Sequence, residues 1–86
     1  MDKPVAVVTG GARGIGAAIA DALLGAGFAV AVADMDLATA EALVASRGLP
    51  AGEFRAYALN VTDEGGVAAV FKQLQADFGR IDVLVN

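Results

Sequence analysis

Short β-branched and apolar runs alternate with segments of helical period, and a glycine cluster follows the first run. Together these predict an α/β fold: the first half, βαβαβαβ, of a Rossmann-type doubly wound parallel sheet. Strands alternating with helices of this length pair parallel, because each crossover must return the chain to the same end of the sheet. Right-handed crossovers then place helices on both faces.

Val5-Ala6-Val7-Val8 precedes the glycines and reads as a buried strand. Ile15, Ala18, Ile19, Ala22 and Leu23 recur at helical spacing, and Gly27 lies where that helix should stop. Phe28 to Ala33 is the second strand, ended by Asp34. Leu37, Ala40, Leu43 and Val44 mark the second helix, which runs until Gly48. Leu49-Pro50-Ala51-Gly52 is a loop by its turn residues. Phe54 to Leu59 is a more polar strand, as an edge strand should be. Val67, Val70, Phe71, Leu74 and Phe78 describe a long amphipathic helix closed by Gly79, and Ile81 to Val85 is the fourth strand.

Composition narrows the functions available. The net charge is −4 with no Lys/Arg cluster, which speaks against phosphate neutralisation on a nucleic acid. The chain has no Cys for a disulfide or thiolate site and no His, the commonest metal ligand and general base. No signal-peptide pattern opens it, and its longest apolar run, Ala22 to Ala33, is short of the ~20 residues of a membrane span. A cytoplasmic protein without membrane partners is the expectation. The apolar fraction of 57% is high for a chain of 86 residues, so more protein is expected to cover it.

The stretch Thr9-Gly10-Gly11-Ala12-Arg13-Gly14-Ile15-Gly16 joins the first strand to the first helix. A dinucleotide asks this junction for a sharp turn, a backbone that approaches the diphosphate closely, and a helix that starts tight against the strand. Gly10, Gly14 and Gly16 can meet these needs in turn, with the phosphates against the N–H groups of the helix N-terminus. The alternative is a glycine-rich connector without a ligand. A P-loop is excluded, because Ala17-Ala18 stands where its Lys and Ser/Thr must be. Asp34, eighteen residues after Gly16, can accept from adenosine ribose hydroxyls. It would repel a 2′-phosphate: like charges about 4 Å apart cost a few kcal/mol at an effective dielectric near 20.

The spacing Thr-Gly-x-x-x-Gly-x-Gly resembles that of the short-chain dehydrogenase/reductase family. The likeness extends through Asp34, Asn60-Val61-Thr62-Asp63 and Ile81-Asp82-Val83-Leu84-Val85-Asn86, and so covers the whole chain. Its flavour is closest to 3-oxoacyl-thioester reductases and related alcohol dehydrogenases. The resemblance implies NAD or NADP as cofactor, a small carbonyl or alcohol substrate and a homo-oligomeric parent. The implied cofactor contacts are Gly10, Arg13, Gly14, Ile15, Gly16, Asp34, Asn60, Val61 and Asn86.

Several of these carry a second reading. In the family a basic residue at Arg13 can contact the 2′-phosphate of NADP, whereas a loop charge in solvent is the plainer account. Asp34 could serve only as a helix N-cap. Asp36 adds a second acid beside it, and NAD is the expected cofactor. Asn60 stands where the family has an Asp that accepts from the adenine amino group, with Val61 against the ring; alternatively Asn60 satisfies local backbone groups. Asn86 matches the first residue of the family's Asn-Asn-Ala-Gly motif, which implies a backbone contact to the cofactor.

No catalytic residue is assigned. The family works with a Ser and a Tyr-x-x-x-Lys pair, the Lys lowering the Tyr pKa. Here the sole Tyr, Tyr57, is followed four residues on by Val61, and the sole Ser is Ser46. In the doubly wound order the fourth strand lies inside the sheet with a fifth beside it. The expectation is therefore one Rossmann domain truncated after its fourth strand, inactive as 86 residues. Alternatives are a non-catalytic nucleotide-binding protein and an S-adenosylmethionine-dependent methyltransferase.

Overall fold

A computed structural model describes residues 3–86. The elements are β1 (Val5–Thr9), α1 (Gly14–Gly25), β2 (Ala29–Asp34), α2 (Leu37–Arg47), β3 (Phe54–Ala58), α3 (Glu64–Phe78) and β4 (Val83–Val85). The strands form one parallel sheet in the order β3-β2-β1-β4. Val5 pairs with Ala29, Val30 with Phe54 and Ala6 with Val83.

Strand alternation sorts the core between two faces. Val8, Val30, Val32 and Phe54 face α1 and α2, where Ala20 and Ala40 are fully buried against them. The small side chains let those helices approach closely. Val7 and Ala31 face the other way, onto Leu74, Val70 and Phe71 of α3. Helices therefore cover both faces, as the alternating pattern requires. The chain steps from β1 outward to β2 and β3, then returns past β1 to β4. Winding reverses at β1, and the carboxyl ends of β1 and β4 flank the crevice where such sheets take ligands.

β1 runs one residue further than expected, to Thr9, and β2 is shifted by one, to Ala29–Asp34; two other boundaries have a visible cause. β3 ends at Ala58, although Leu59 stays buried and its N–H donates to the Asp34 carbonyl at 2.9 Å. β4 begins at Val83 rather than Ile81, because the Asp82 carboxylate takes the Val5 N–H at 2.8 Å, the place of a strand carbonyl. β3 is an edge strand, as its polarity suggests. β4 is the other edge, with Leu84 exposed; the interior position expected of it needs a fifth strand, which these residues do not supply. Among the described residues no helix is long and apolar enough to cross a membrane.

Candidate functional site

The glycine loop leaves β1 at the winding reversal. Gly10 and Gly14 hold φ of +66° and +60°, the left-handed region that side chains disfavour. Gly16 is required for a different reason: a Cβ there would lie 2.2 Å from the Gly10 carbonyl oxygen. The first turn of α1 thus rests directly on the loop. Gly11, to which the glycine spacing gives no role, also has no room. Its Cβ would fall 2.8 Å from Val32 Cγ1 and 3.0 Å from the Val8 carbonyl oxygen.

The helix ends are not equivalent. Asp36 caps α2 by accepting from Thr39 N–H at 3.1 Å, and Asp63 caps α3 by accepting from Gly66 N–H at 3.1 Å. α1 has Arg13 at its cap position, with no side-chain cap and no acid in its first turn. The helix beginning at the glycine loop is the one whose N-terminal amides lack a side-chain acceptor, the arrangement that suits an anion.

Beside the loop, Gly10, Ala33, Asp34, Met35, Leu59 and Val61 line a pocket of about 220 Å³. Asp34 is not the cap of α2; that role falls to Asp36, two residues on. Its carboxylate oxygens accept from Ala12 N–H at 3.2 Å and from Asp36 N–H at 2.9 Å. An ionised carboxylate keeps lone pairs beyond these for sugar hydroxyls. Met35 and Val61 are 73% and 63% exposed, and they offer apolar walls to a flat ring. Met35 was missed because a lone Met after an acid carries no sequence signal.

The remaining expected contacts fall into two groups. Ile15 is exposed at the start of α1, and Arg13 makes an ion pair with Asp36 and donates to the Thr39 hydroxyl at 3.2 Å. Arg13 leans on the N-terminus of α2 while its side chain remains 68% exposed to solvent. Asn60 uses its side-chain oxygen locally, accepting from Thr62 N–H at 3.0 Å and its hydroxyl at 2.6 Å. The Thr9 hydroxyl faces the Asn86 side-chain oxygen at 3.1 Å and the Val85 carbonyl at 3.3 Å, which ties the ends of β1 and β4 together.

The sole Tyr and the sole Ser of the chain lie away from this pocket. Tyr57 donates to Asp77 at 2.7 Å on the α3 face of the sheet. Burial first, and the Asp77 bond second, push its hydroxyl well above the ordinary phenol range. Ser46 donates to the Leu43 carbonyl at 2.6 Å. Among the described residues no cluster of three His, Cys, Asp or Glu could hold a metal ion. A wider depression, lined by Lys3, Val5, Ala29, Pro50, Glu53 and Phe78, lies at the amino ends of the strands. That is the end of an open α/β sheet opposite the ligand crevice, and the Lys3–Glu53 ion pair spans it.

The strand order and the glycine loop at the winding reversal together define an α/β protein of the doubly wound class. Residues 4–86 match the family model described as short chain dehydrogenase, and the chain belongs to that family. It is 46% identical over its full length to D-threitol dehydrogenase of Mycolicibacterium smegmatis, covering 33% of that protein. It is 40% identical to the 3-oxoacyl-[acyl-carrier-protein] reductase FabG of Haemophilus influenzae, all of the chain against 34% of that protein. The crystal structure of gox2181 superposes with a TM-score of 0.89 at 34% identity, over 98% of this chain and 33% of that one. The chain thus spans about a third of the length of these relatives.

Proposed function

We propose that this chain is the NAD-binding part of an oxidoreductase that moves hydride between NAD and an alcohol or carbonyl substrate. The observation that carries the reading is the glycine-lined, side-chain-uncapped N-terminus of α1 set beside the half-buried carboxylate of Asp34. The loop amides would face the paired phosphates, with Gly10, Gly14 and Gly16 leaving the approach clear. Asp34 would accept from the adenosine ribose, and Met35 and Val61 would flank the adenine. Bound there, the nicotinamide supplies the hydride chemistry; these residues bind and orient it. Asn86, tied to Thr9 across the crevice, would present its backbone to the cofactor.

Asp34 and the Asp36-paired Arg13 favour NAD over NADP, because the acid repels a 2′-phosphate and the cation is already engaged. Family membership sets aside the methyltransferase alternative. The likeness to a D-threitol dehydrogenase supports a polyol as substrate. Residues 1–86 alone turn nothing over, since Tyr57 is committed to Asp77 and has no Lys at the required spacing. The parent works in the cytoplasm as a homo-oligomer.

The test is calorimetric titration of the full-length protein with NADH and NADPH, followed by turnover with threitol and a 3-oxoacyl thioester. NADH binding at least about tenfold tighter is expected from a charge clash above 1.4 kcal/mol. Tighter NADPH would reverse the cofactor assignment. No heat with either would remove the dinucleotide reading, and turnover of the thioester alone would remove the polyol.

A further inference from the structure

We propose that Asp34 is also the positioning group of the glycine loop, locking it to the turn after β2 so that phosphate cradle and sugar site form one unit. The inference rests on the dinucleotide reading above. Three nearly successive loop residues are each anchored on that turn. Gly10 N–H donates to the Ala33 carbonyl at 2.8 Å, Ala12 N–H to Asp34 Oδ2 at 3.2 Å, and the Arg13 side chain pairs with Asp36. The other Asp34 oxygen accepts from Asp36 N–H at 2.9 Å, so one carboxylate grips both segments. The Ala12 methyl is buried in the core that α1 and α2 cover, a second anchor for the same residue.

The chemistry of the group fits two tasks. An ionised carboxylate only accepts, so it can hold two backbone N–H groups and still receive sugar hydroxyls. An Asn there would turn an NH2 toward one of those N–H groups and release it. The loop amides that face the phosphates would then lose their fixed aim, and a misplacement on the order of 1 Å weakens such contacts. Asp34 thereby acts on the diphosphate without touching it.

The experiment separates the tasks with a probe that has no sugar hydroxyls to read. Full-length wild type and Asp34→Asn are titrated with NADH and with the NADH analogue lacking both adenosine 2′ and 3′ hydroxyls. Loosening of the loop weakens the analogue by about tenfold or more in the variant, the scale of one lost charge-assisted hydrogen bond. A variant that weakens NADH but leaves the analogue within about twofold overturns the clamp and leaves the sugar role standing. Wild type that binds neither overturns the dinucleotide reading and the clamp with it. Amide hydrogen exchange of the unliganded wild type serves where the variant does not fold. An Ala12 amide protected like those of β1 supports the clamp, and one exchanging at the rate of open chain overturns it.

Discussion

Gly16 and Gly25 sit at opposite ends of α1 and differ in what a methyl group would meet. At Gly16 it would be driven into the Gly10 carbonyl, and backbone on both sides leaves no flexible side chain to yield. At Gly25 nothing lies within 4 Å and φ is not positive. Gly16→Ala should therefore destabilise by about 1–3 kcal/mol, as overpacking does, and should sharply weaken NADH binding. Gly25→Ala should stabilise by about 0.4–1 kcal/mol through the unfolded chain and leave binding unchanged. Denaturant unfolding and NADH titration of both variants check the pair; equal effects would refute the close-approach argument. Spacing alone marked Gly10, Gly14 and Gly16, because a turn and a tight junction recur at fixed offsets. It could not mark Gly11, whose constraint is Val32 of a strand brought alongside only by folding. Nor could it choose between Asp34 and Asp36 as the cap of α2. Both are acids next to a helix start, and only the backbone path decides which carboxylate meets Thr39 N–H.

At the level of elements, each helix other than α1 is stopped and started by local chemistry that the sequence displays. Asp63 accepts from Gly66 N–H at the start of α3, and Gly79 ends it with φ of +80°. Asp63→Ala should cost about 0.5–2 kcal/mol, read as a lower denaturation midpoint, with cofactor affinity retained because the cap lies outside the loop. The contact that docks α3 on β3 is less visible from sequence. Tyr57 reaches Asp77, which Gln73 also binds at 2.9 Å and Arg55 approaches at 3.8 Å. Tyr57→Phe should lower the thermal midpoint without moving NADH affinity; a loss of affinity instead would place Tyr57 in the site. Apolar runs located the strands and period 3.6 the helices, since both report burial directly. The start of β4 escaped them because the side chain of Asp82, rather than a main-chain carbonyl, completes the pairing with Val5. The two roles open for Asn60 likewise depend on a turn, and the turn engages its oxygen with Thr62.

Across the whole molecule, four of the described carboxylates are held below their ordinary range, and Asp21 and Asp77 owe this first to a bond between elements. Asp21 is lowered first by its hydrogen bond to Arg47, which joins α1 to α2. Asp36 is lowered first by Thr39, Asp77 first by Tyr57 and Asp82 first by Arg80, with Val5 N–H next for the last. Each folded pKa lies below the unfolded value, so the unfolded state binds more protons as pH falls and stability rises with pH through that window. The contribution is fully present above the ordinary carboxylate pKa and is lost on acidification through the lowered values. Tyr57 works in the opposite sense: its raised pKa favours the neutral folded form, so its contribution holds below the ordinary phenol pKa and disappears as the solution becomes strongly alkaline. With no His and no Cys in the chain, no side chain at its ordinary pKa titrates between about pH 5 and 8. The thermal midpoint should therefore be flat across that interval and fall on both flanks. Asp77→Asn should soften the acid flank and Asp21→Asn should do so independently, because the two pairs lie on opposite faces of the sheet and share no partner. A midpoint that instead changes steeply near pH 6.5, or an acid flank unaltered in both variants, would show that these inter-element carboxylates do not govern the molecule's response to acid.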